Sequence, residues 1–171
     1  LPEMVAEFKL EDMGKSGGVF DVEKLRWYNR HYLQQLPNDN FNSQAFSALR
    51  SAMSNRDISW NEDIGRKIVP TLRERISVWE DIRTLAEDGE FDYFFAEPTP
   101  DSAKLPGKGS DAKEAYLHLS RIHEALSKLP AEAFDEPETI KNAVWDYATS
   151  EGRGAVLWPL RYCLSGKERS P

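Results

Sequence analysis

The stretch F-D-V-E-K-L-R-W-Y-N-R-H-Y-L-Q-Q-L, residues 20–36, predicts an amphipathic helix and indicates a helical chain. Asp21 can cap this helix, because its carboxylate can accept from the free amides of the first turn, and Pro37 ends it. Steps of three and four residues separate the positions expected to face the core, which are Val22, Leu25, Asn29, Tyr32 and Leu36. A buried amide without partners costs about 1–3 kcal/mol, so we expect Asn29 to bond to a neighbouring backbone.

The same periodicity extends along most of the chain. Further helices are predicted at about 42–54, 60–87, 110–129, 137–151 and 155–164. Pro70 should kink or divide the second of these, and Ser59 and Ser110 are expected to cap helices. The sequence contains no alternating strand pattern of any length. The predicted fold class is therefore all-α, a helical bundle or cage of two small subdomains.

A segment rich in proline and glycine, E-P-T-P-D-S-A-K-L-P-G-K-G at 97–109, predicts the linker between the two subdomains. The first subdomain is expected to span 1–96, with 1–20 as a connecting segment, and the second to span 110–171. The chain starts abruptly without methionine and stops just after a basic, polar stretch. We therefore expect an excised fragment whose second subdomain is truncated at its C-terminus.

Composition places the chain among globular proteins, since 40% of its residues are apolar and 30% are charged. No apolar run approaches the roughly 20 residues that a membrane span needs, so no membrane association is expected. The single cysteine, Cys163, excludes an internal disulfide and favours a reducing compartment, and the expected location is the cytoplasm. His31, His118 and His123 lack partners at ligand spacing, so no metal site is predicted.

The net charge of −7 argues against non-specific affinity for nucleic acid. Basic residues nevertheless cluster at 66–75 and 151–171, while acidic runs lie at 87–92 and 131–138. Local basic patches can bind nucleic acid when recognition is specific, and they can equally be solvated helix faces. Charge alone leaves both alternatives open.

No catalytic residue is predicted. Nucleophile elbows, glycine-rich phosphate loops and paired C-x-x-C motifs are all missing from the sequence, and K-S-G-G at 15–18 is interpreted as a turn. Among the five tryptophans, Trp145 lies one step off the face formed by Ile140 and Val144. An exposed aromatic side chain beside arginines can stack on an unpaired base, and burial in the core is the alternative.

Three stretches together resemble bacterial-type glutamyl-tRNA synthetases: K-S-G-G-V-F-D-V-E-K-L-R-W-Y-N-R-H-Y-L at 15–33, I-V-P-T-L-R-E-R at 68–75 and P-L-R-Y-C-L-S-G-K-E-R-S-P at 159–171. Their order and spacing are similar to those of the helical anticodon-binding portion of that family, over essentially the whole chain. The resemblance implies a class I parent whose separate Rossmann-type catalytic domain joins glutamate to tRNA-Glu with ATP and Mg²⁺. The H-I-G-H and K-M-S-K-S signatures of that domain are missing here. The resemblance thus implies a piece that lacks the active site and the Rossmann domain and has no cofactor of its own.

The resemblance also implies partners. The expected partners are the anticodon loop of tRNA-Glu and the catalytic half of the same polypeptide, in a monomeric protein. An all-helical protein-interaction module with solvated basic patches is the alternative function.

Individual binding residues follow from the same resemblance. Arg75 corresponds to a family arginine that contacts the third anticodon base and distinguishes tRNA-Glu from tRNA-Gln, and a shifted alignment would select Arg73 instead. The remaining expected anticodon contacts are Arg161, Ser170, Pro171 and, in place of a basic residue on the preceding helix, Trp145.

Overall fold

The computed structural model describes residues 2–9, 19–107 and 109–169. The expected turn at 15–18 and the expected contacts Ser170 and Pro171 lie outside the described residues. Within them the chain forms helices α1 (Pro2–Glu7), α2 (Val22–Gln35), α3 (Asn38–Ser54), α4 (Glu62–Leu72), α5 (Glu80–Glu87), α6 (Asp92–Phe95), α7 (Ala112–Ser127), α8 (Pro137–Glu151) and α9 (Arg153–Ser165), with 3₁₀ turns at Ser102–Lys104 and Ala131–Asp135. The described residues contain no strand, and the predicted all-α class is confirmed.

Several helix ends differ from the predicted ones. The predicted helix over 60–87 is divided into α4 and α5, but the break falls after Leu72 and not at Pro70, which lies inside α4. Asn61 and Asp111 cap α4 and α7 in place of the expected serines, each accepting from two amides of the first turn. Each capping side chain directly precedes its helix, which is the position from which a side-chain oxygen reaches those amides.

The predicted inward face of α2 is wrong for three of its five residues. Val22, Leu25 and Tyr32 are more than half exposed, whereas Leu33, one position after Tyr32, is buried. Helix α2 packs Leu33 into the first apolar cluster and donates from Asn29 and Arg30 to carbonyls of the turn between α4 and α5, and these contacts select a neighbouring face. The prediction for Asn29 is confirmed, because its amide nitrogen donates to the carbonyl of Ser77.

Arg73 joins the end of α2 to the end of α4. Its Nη1 donates to the carbonyl oxygens of Gln34 at 2.8 Å and Leu36 at 2.9 Å, and lies 3.4 Å from that of Leu33. Its guanidinium also lies 4.2 Å from the centroid of the Phe41 ring. The last carbonyls of a helix have no partners within the helix, so one arginine satisfies the end of α2 and stacks on the first turn of α3.

Two apolar clusters form the interior. In the first, α3 packs on α4 and α5, and its fully buried large side chains are Phe41, Leu49, Leu72, Ile76, Ile82 and Phe91. In the second, α7, α8 and α9 pack on one another, around Ile122, Val144, Ala148 and Val156. The predicted division at 97–109 stays a prediction, although that segment does lie between the residues of the two clusters.

The segment between the clusters packs along α9. The Trp158 indole donates to the Lys104 carbonyl at 3.2 Å, and the Asp101 amide donates to the Tyr162 hydroxyl at 3.3 Å. A Cβ at Gly107 would lie 3.1 Å from the Trp158 ring, closer than an ordinary contact, so a residue without a side chain suits this position. The described residues of the segment 97–109 therefore form a packed connection along α9, which we call the strap.

No helix of the described residues combines the length and apolar character required to cross a bilayer.

Replacement of Arg73 by methionine should lower the free energy of unfolding by about 2–4 kcal/mol, because it removes charge-assisted hydrogen bonds to two carbonyls and the contact with Phe41. Urea titrations followed by far-UV circular dichroism measure this loss. Arg50→Met is the matched control, since Arg50 is an exposed partner of Glu62 and should cost less than about 1 kcal/mol. Equal losses in the two variants would contradict a clamping role for Arg73.

A second stability prediction concerns Asp81, which accepts from the amides of Ser77 and Val78 and pairs with Arg26 at 2.6 Å. Burial raises the pKa of this carboxyl, but the two amides and the guanidinium outweigh burial and hold the pKa below its ordinary value. A lowered pKa in the folded state means that the contribution is fully present above the unfolded pKa of about 3.9 and is lost as the pH falls through the folded value.

Asp81→Asn should therefore cost about 1–2 kcal/mol of unfolding free energy at pH 7. The difference from the unsubstituted protein should shrink as the pH falls below about 4, because the unfolded chain then binds a proton at this carboxyl first, and the native carboxyl follows only at the lower folded pKa. Urea titrations at a series of pH values test this window. A deficit that stays constant down to the most acidic pH at which the protein folds would exclude the ionised carboxylate as its source.

Candidate nucleic-acid interface

Arg75 lies in the turn after α4, where its amide donates to the Leu72 carbonyl at 3.0 Å. Its Nη2 donates to Glu90 Oε2 at 3.3 Å, and its guanidinium lies 5.8 Å from the centroid of the Phe91 ring. About one fifth of the side chain is exposed. Its Nη1 is buried and has no hydrogen-bond partner among the described residues. Arg75 is thus held at the edge of the first apolar cluster with part of its donor capacity unused.

Lys167 reaches the same carboxylate from the other cluster. Gly166 ends α9 in the left-handed conformation, with φ of +65°, which a residue without a Cβ adopts readily. The turned chain places Lys167 Nζ 3.7 Å from Glu90 Oε1 and 3.2 Å from the Asp88 carbonyl. The Lys167 amide also donates to the Ser165 hydroxyl at 3.1 Å, which supports the turn. Glu90 therefore has a cation from each cluster beside it.

Arg161 braces the segment that carries Lys167. Its Nη2 donates to the Glu168 carbonyl at 2.6 Å, and its guanidinium lies 5.1 Å from the centroid of the Trp158 ring. The stretch 68–75 and the described part of the stretch 159–171, both singled out by the sequence, are consequently brought together at Glu90. Ser170 and Pro171 follow directly in the chain.

We call this meeting point the junction, defined by Arg75, Glu90, Arg161 and Lys167. Beside it lies a cleft of about 250 Å³ whose lining includes Tyr93 and Lys167. Burial raises the pKa of Tyr93, and the opposite charges of Arg75 and Glu90 both act on it. The Tyr93 hydroxyl is buried without a hydrogen-bond partner among the described residues. Buried polar atoms normally have partners, so the junction offers unused hydrogen-bonding capacity.

Trp145 belongs to a separate cationic cluster at the start of α9. Its ring is partly buried, with the Arg153 guanidinium 4.5 Å and the Lys141 ammonium 5.7 Å from its centroid. An aromatic ring beside a planar guanidinium is a combination on which nucleic-acid bases can stack.

Arg73 faces away from these groups, since its hydrogen bonds all go to α2 and its ring contact is to Phe41. Its place among the anticodon contacts stays a prediction, and the structure gives its side chain another role. Sequence reasoning missed Glu90, since an acid inside the acidic run 87–92 has no local signal that distinguishes it from its neighbours.

Two further features bear on chemistry. No group of three His, Cys, Asp or Glu side chains in the described ranges is arranged to hold a metal ion. Cys163 is partly buried, and this burial raises the pKa of its thiol, which disfavours the reactive thiolate.

Comparison with known proteins shows the family of this chain. A family model described as an anticodon binding domain matches residues 22–171. The chain is 33% identical over its full length to glutamate–tRNA ligase 1 of Syntrophus aciditrophicus, and 32% and 28% identical to the glutamate–tRNA ligases of Alkaliphilus metalliredigens and Chlorobaculum parvum. It spans about one third of the length of these relatives, 34% in each case. The predicted resemblance is confirmed, and the chain belongs to the family of anticodon-binding domains.

Proposed function

We propose that this chain recognises the anticodon loop of tRNA-Glu as the anticodon-binding portion of a glutamate–tRNA ligase. The observation that carries the proposal is the junction, where Arg75 from the first cluster and Lys167 from the second both contact Glu90 and where Arg161 braces the segment that carries Lys167. These are the residues of the two stretches that resemble the anticodon-binding portion of the family. A site assembled from both clusters suits a loop whose bases splay apart and are read on separate edges.

In the proposed parent protein, the rest of the polypeptide joins glutamate to tRNA-Glu with ATP and Mg²⁺. This chain supplies RNA affinity and discrimination, and the catalytic half is its partner within one monomeric, cytoplasmic protein. Its acidic balance, a net charge of −7, limits non-specific affinity for other nucleic acids. Recognition then depends on the few cations of the junction and of the Trp145 cluster.

The proposed roles follow from the chemistry of each side chain. Arg75 presents a planar fork that can hold a base edge by two hydrogen bonds, and we assign it to the third anticodon base. Arg161 positions the segment that leads to Ser170 and Pro171 on the RNA side of the junction. Trp145 offers a stacking surface worth about 1–3 kcal/mol per base.

The two helical units, 1–96 and 110–171, are proposed to act as the two sides of this binding surface. The strap at 97–109 is proposed to keep them at a constant spacing. Arg73 is the alternative to Arg75, and its hydrogen bonds to α2 make it the less available of the two.

A protein-interaction module is the second candidate function. The exposed apolar side chains of α2, among them Leu25, Trp27 and Tyr32, favour it, because surfaces of this kind often bind another macromolecule. Titration of the chain with an anticodon stem-loop separates the two candidates, since only the first requires that the chain bind RNA.

Arg75→Gln should weaken binding of an anticodon stem-loop of tRNA-Glu by about 5- to 150-fold, the equivalent of one lost base contact of about 1–3 kcal/mol. It should also abolish the preference for the correct third anticodon base. Fluorescence anisotropy titrations with the 171-residue chain, using stem-loops that differ only at that base, measure both quantities.

Arg83→Gln is the matched control for this experiment. Arg83 is an exposed arginine on α5 that pairs with Glu80 and Glu87, and its substitution changes the net charge equally. Equal affinities of the unsubstituted chain for both third bases would refute the discriminating role of Arg75. No measurable binding of any stem-loop would favour the protein-interaction module.

A further inference from the structure

Glu90 lies between two cations, and the proposed function does not explain why an acid lies there. One of its carboxylate oxygens faces Arg75 and the other faces Lys167. All three side chains are largely buried, with exposed fractions between one fifth and one third. Two cations that are expected to meet an anionic RNA are thus already paired with an acid.

Both of these ion pairs are long. Charge-assisted hydrogen bonds between nitrogen and a carboxylate have typical lengths of about 2.7–2.9 Å, whereas the two contacts of Glu90 measure 3.3 and 3.7 Å. Arg75 carries five donors, and its buried Nη1 has no partner among the described residues. Glu90 therefore neutralises the two cations through long contacts that use only part of their hydrogen-bonding capacity, and the remainder is available to a ligand of better geometry.

We infer that Glu90, in the RNA-free protein, occupies the positions at the junction that groups of the RNA take on binding. In the RNA-free protein it holds Arg75 and Lys167 in position and screens their charge. On binding, an edge of the third anticodon base takes its place at Arg75 and an RNA phosphate takes its place at Lys167. This inference rests on the proposed function, and it adds a residue that makes no contact with RNA but sets how strictly RNA is read.

The shared carboxylate couples the two contacts. A base that cannot bond to Arg75 leaves Glu90 in place, and Glu90 then also continues to occupy Lys167. The wrong base thus loses the phosphate contact as well as its own hydrogen bonds. Discrimination by a competing internal contact of this kind is a recognised route to specificity.

The test compares Glu90→Gln with Glu87→Gln in the 171-residue chain. Glu87 belongs to the same acidic run, pairs with Arg83 on an exposed helix face, and its substitution changes the net charge equally. The probes are a tRNA-Glu anticodon stem-loop and its third-base variant, titrated at several salt concentrations. Thermal unfolding, with and without inorganic phosphate, supplies a readout that does not depend on RNA.

Glu90→Gln is expected to bind the matched stem-loop about 3- to 10-fold more tightly, as the loss of two weak ion pairs would allow. The mismatched stem-loop should gain more, so that third-base discrimination narrows. For the mismatched stem-loop, the dependence of log affinity on log salt should steepen by about 0.7, because Glu90 no longer occupies Lys167 and that cation then neutralises an RNA phosphate. Without RNA the thermal midpoint should fall by about 2–4 °C, because one of the contacts between the two clusters, the ion pair of Glu90 with Lys167, is lost together with that of Glu90 with Arg75.

Two outcomes overturn the inference. Weaker RNA binding by Glu90→Gln, in parallel with its lower thermal midpoint, would make Glu90 a structural residue only. Equal RNA affinities and equal third-base discrimination in Glu90→Gln and Glu87→Gln would show that the effect comes only from the change in net charge.

The phosphate measurement separates this inference from the proposed function. If no variant binds the stem-loop, the proposed function fails. A thermal midpoint of Glu90→Gln that rises in inorganic phosphate more than that of Glu87→Gln would then still support an anion position between Arg75 and Lys167. Equal shifts would overturn it.

Discussion

The carboxylate of Glu90 is the contact on which the candidate interface depends. The two apolar clusters are buried separately, one around α3, α4 and α5 and the other around α7, α8 and α9, and they meet where α6 contacts α9 and at the junction. There, Glu90 places a cation from each cluster on either side of one anion. The geometry of this site therefore depends on the ion pairs of Glu90, and the proposed RNA ligand competes with Glu90 for the same two cations.

Local periodicity is sufficient to predict the helices, because apolar residues at steps of three and four lie on one face of a helix and on opposite faces of a strand. It is not sufficient to orient α2. The predicted member Tyr32 and the buried Leu33 are adjacent in sequence, about 100° apart around the helix. The choice between them depends on bonds from Arg26 to Asp81 and from Arg73 to the end of α2, partners that are 55 and 39 residues apart in sequence. Such contacts leave no local pattern.

Some residues of the candidate site could likewise be predicted from the sequence, and one could not. Arg75 and Arg161 could be found from the sequence, because each lies in a stretch with a family resemblance, and in the structure Arg75 contacts Glu90 while Arg161 braces the segment that carries Lys167. Glu90 could not be found, because its role depends on two turns elsewhere in the chain. The turn after α4 places Arg75 beside it, and the left-handed Gly166 places Lys167 beside it. An acid in an acidic run is ordinarily solvated, and only tertiary structure distinguishes this one.

Arg73 and Arg75 belong to one short motif in which one arginine supports the fold and the other is proposed to recognise RNA. Both lie in the turn after α4, where Arg73 donates to the end of α2 and Arg75 donates to Glu90. Loss of either can weaken RNA binding, because a site displaced by a loosened α2 binds poorly for reasons unrelated to base contacts. Affinity alone therefore cannot assign a base-reading role to either residue. Discrimination between third bases can, since a change of shape weakens all RNAs alike, whereas a lost base contact weakens only the matched one.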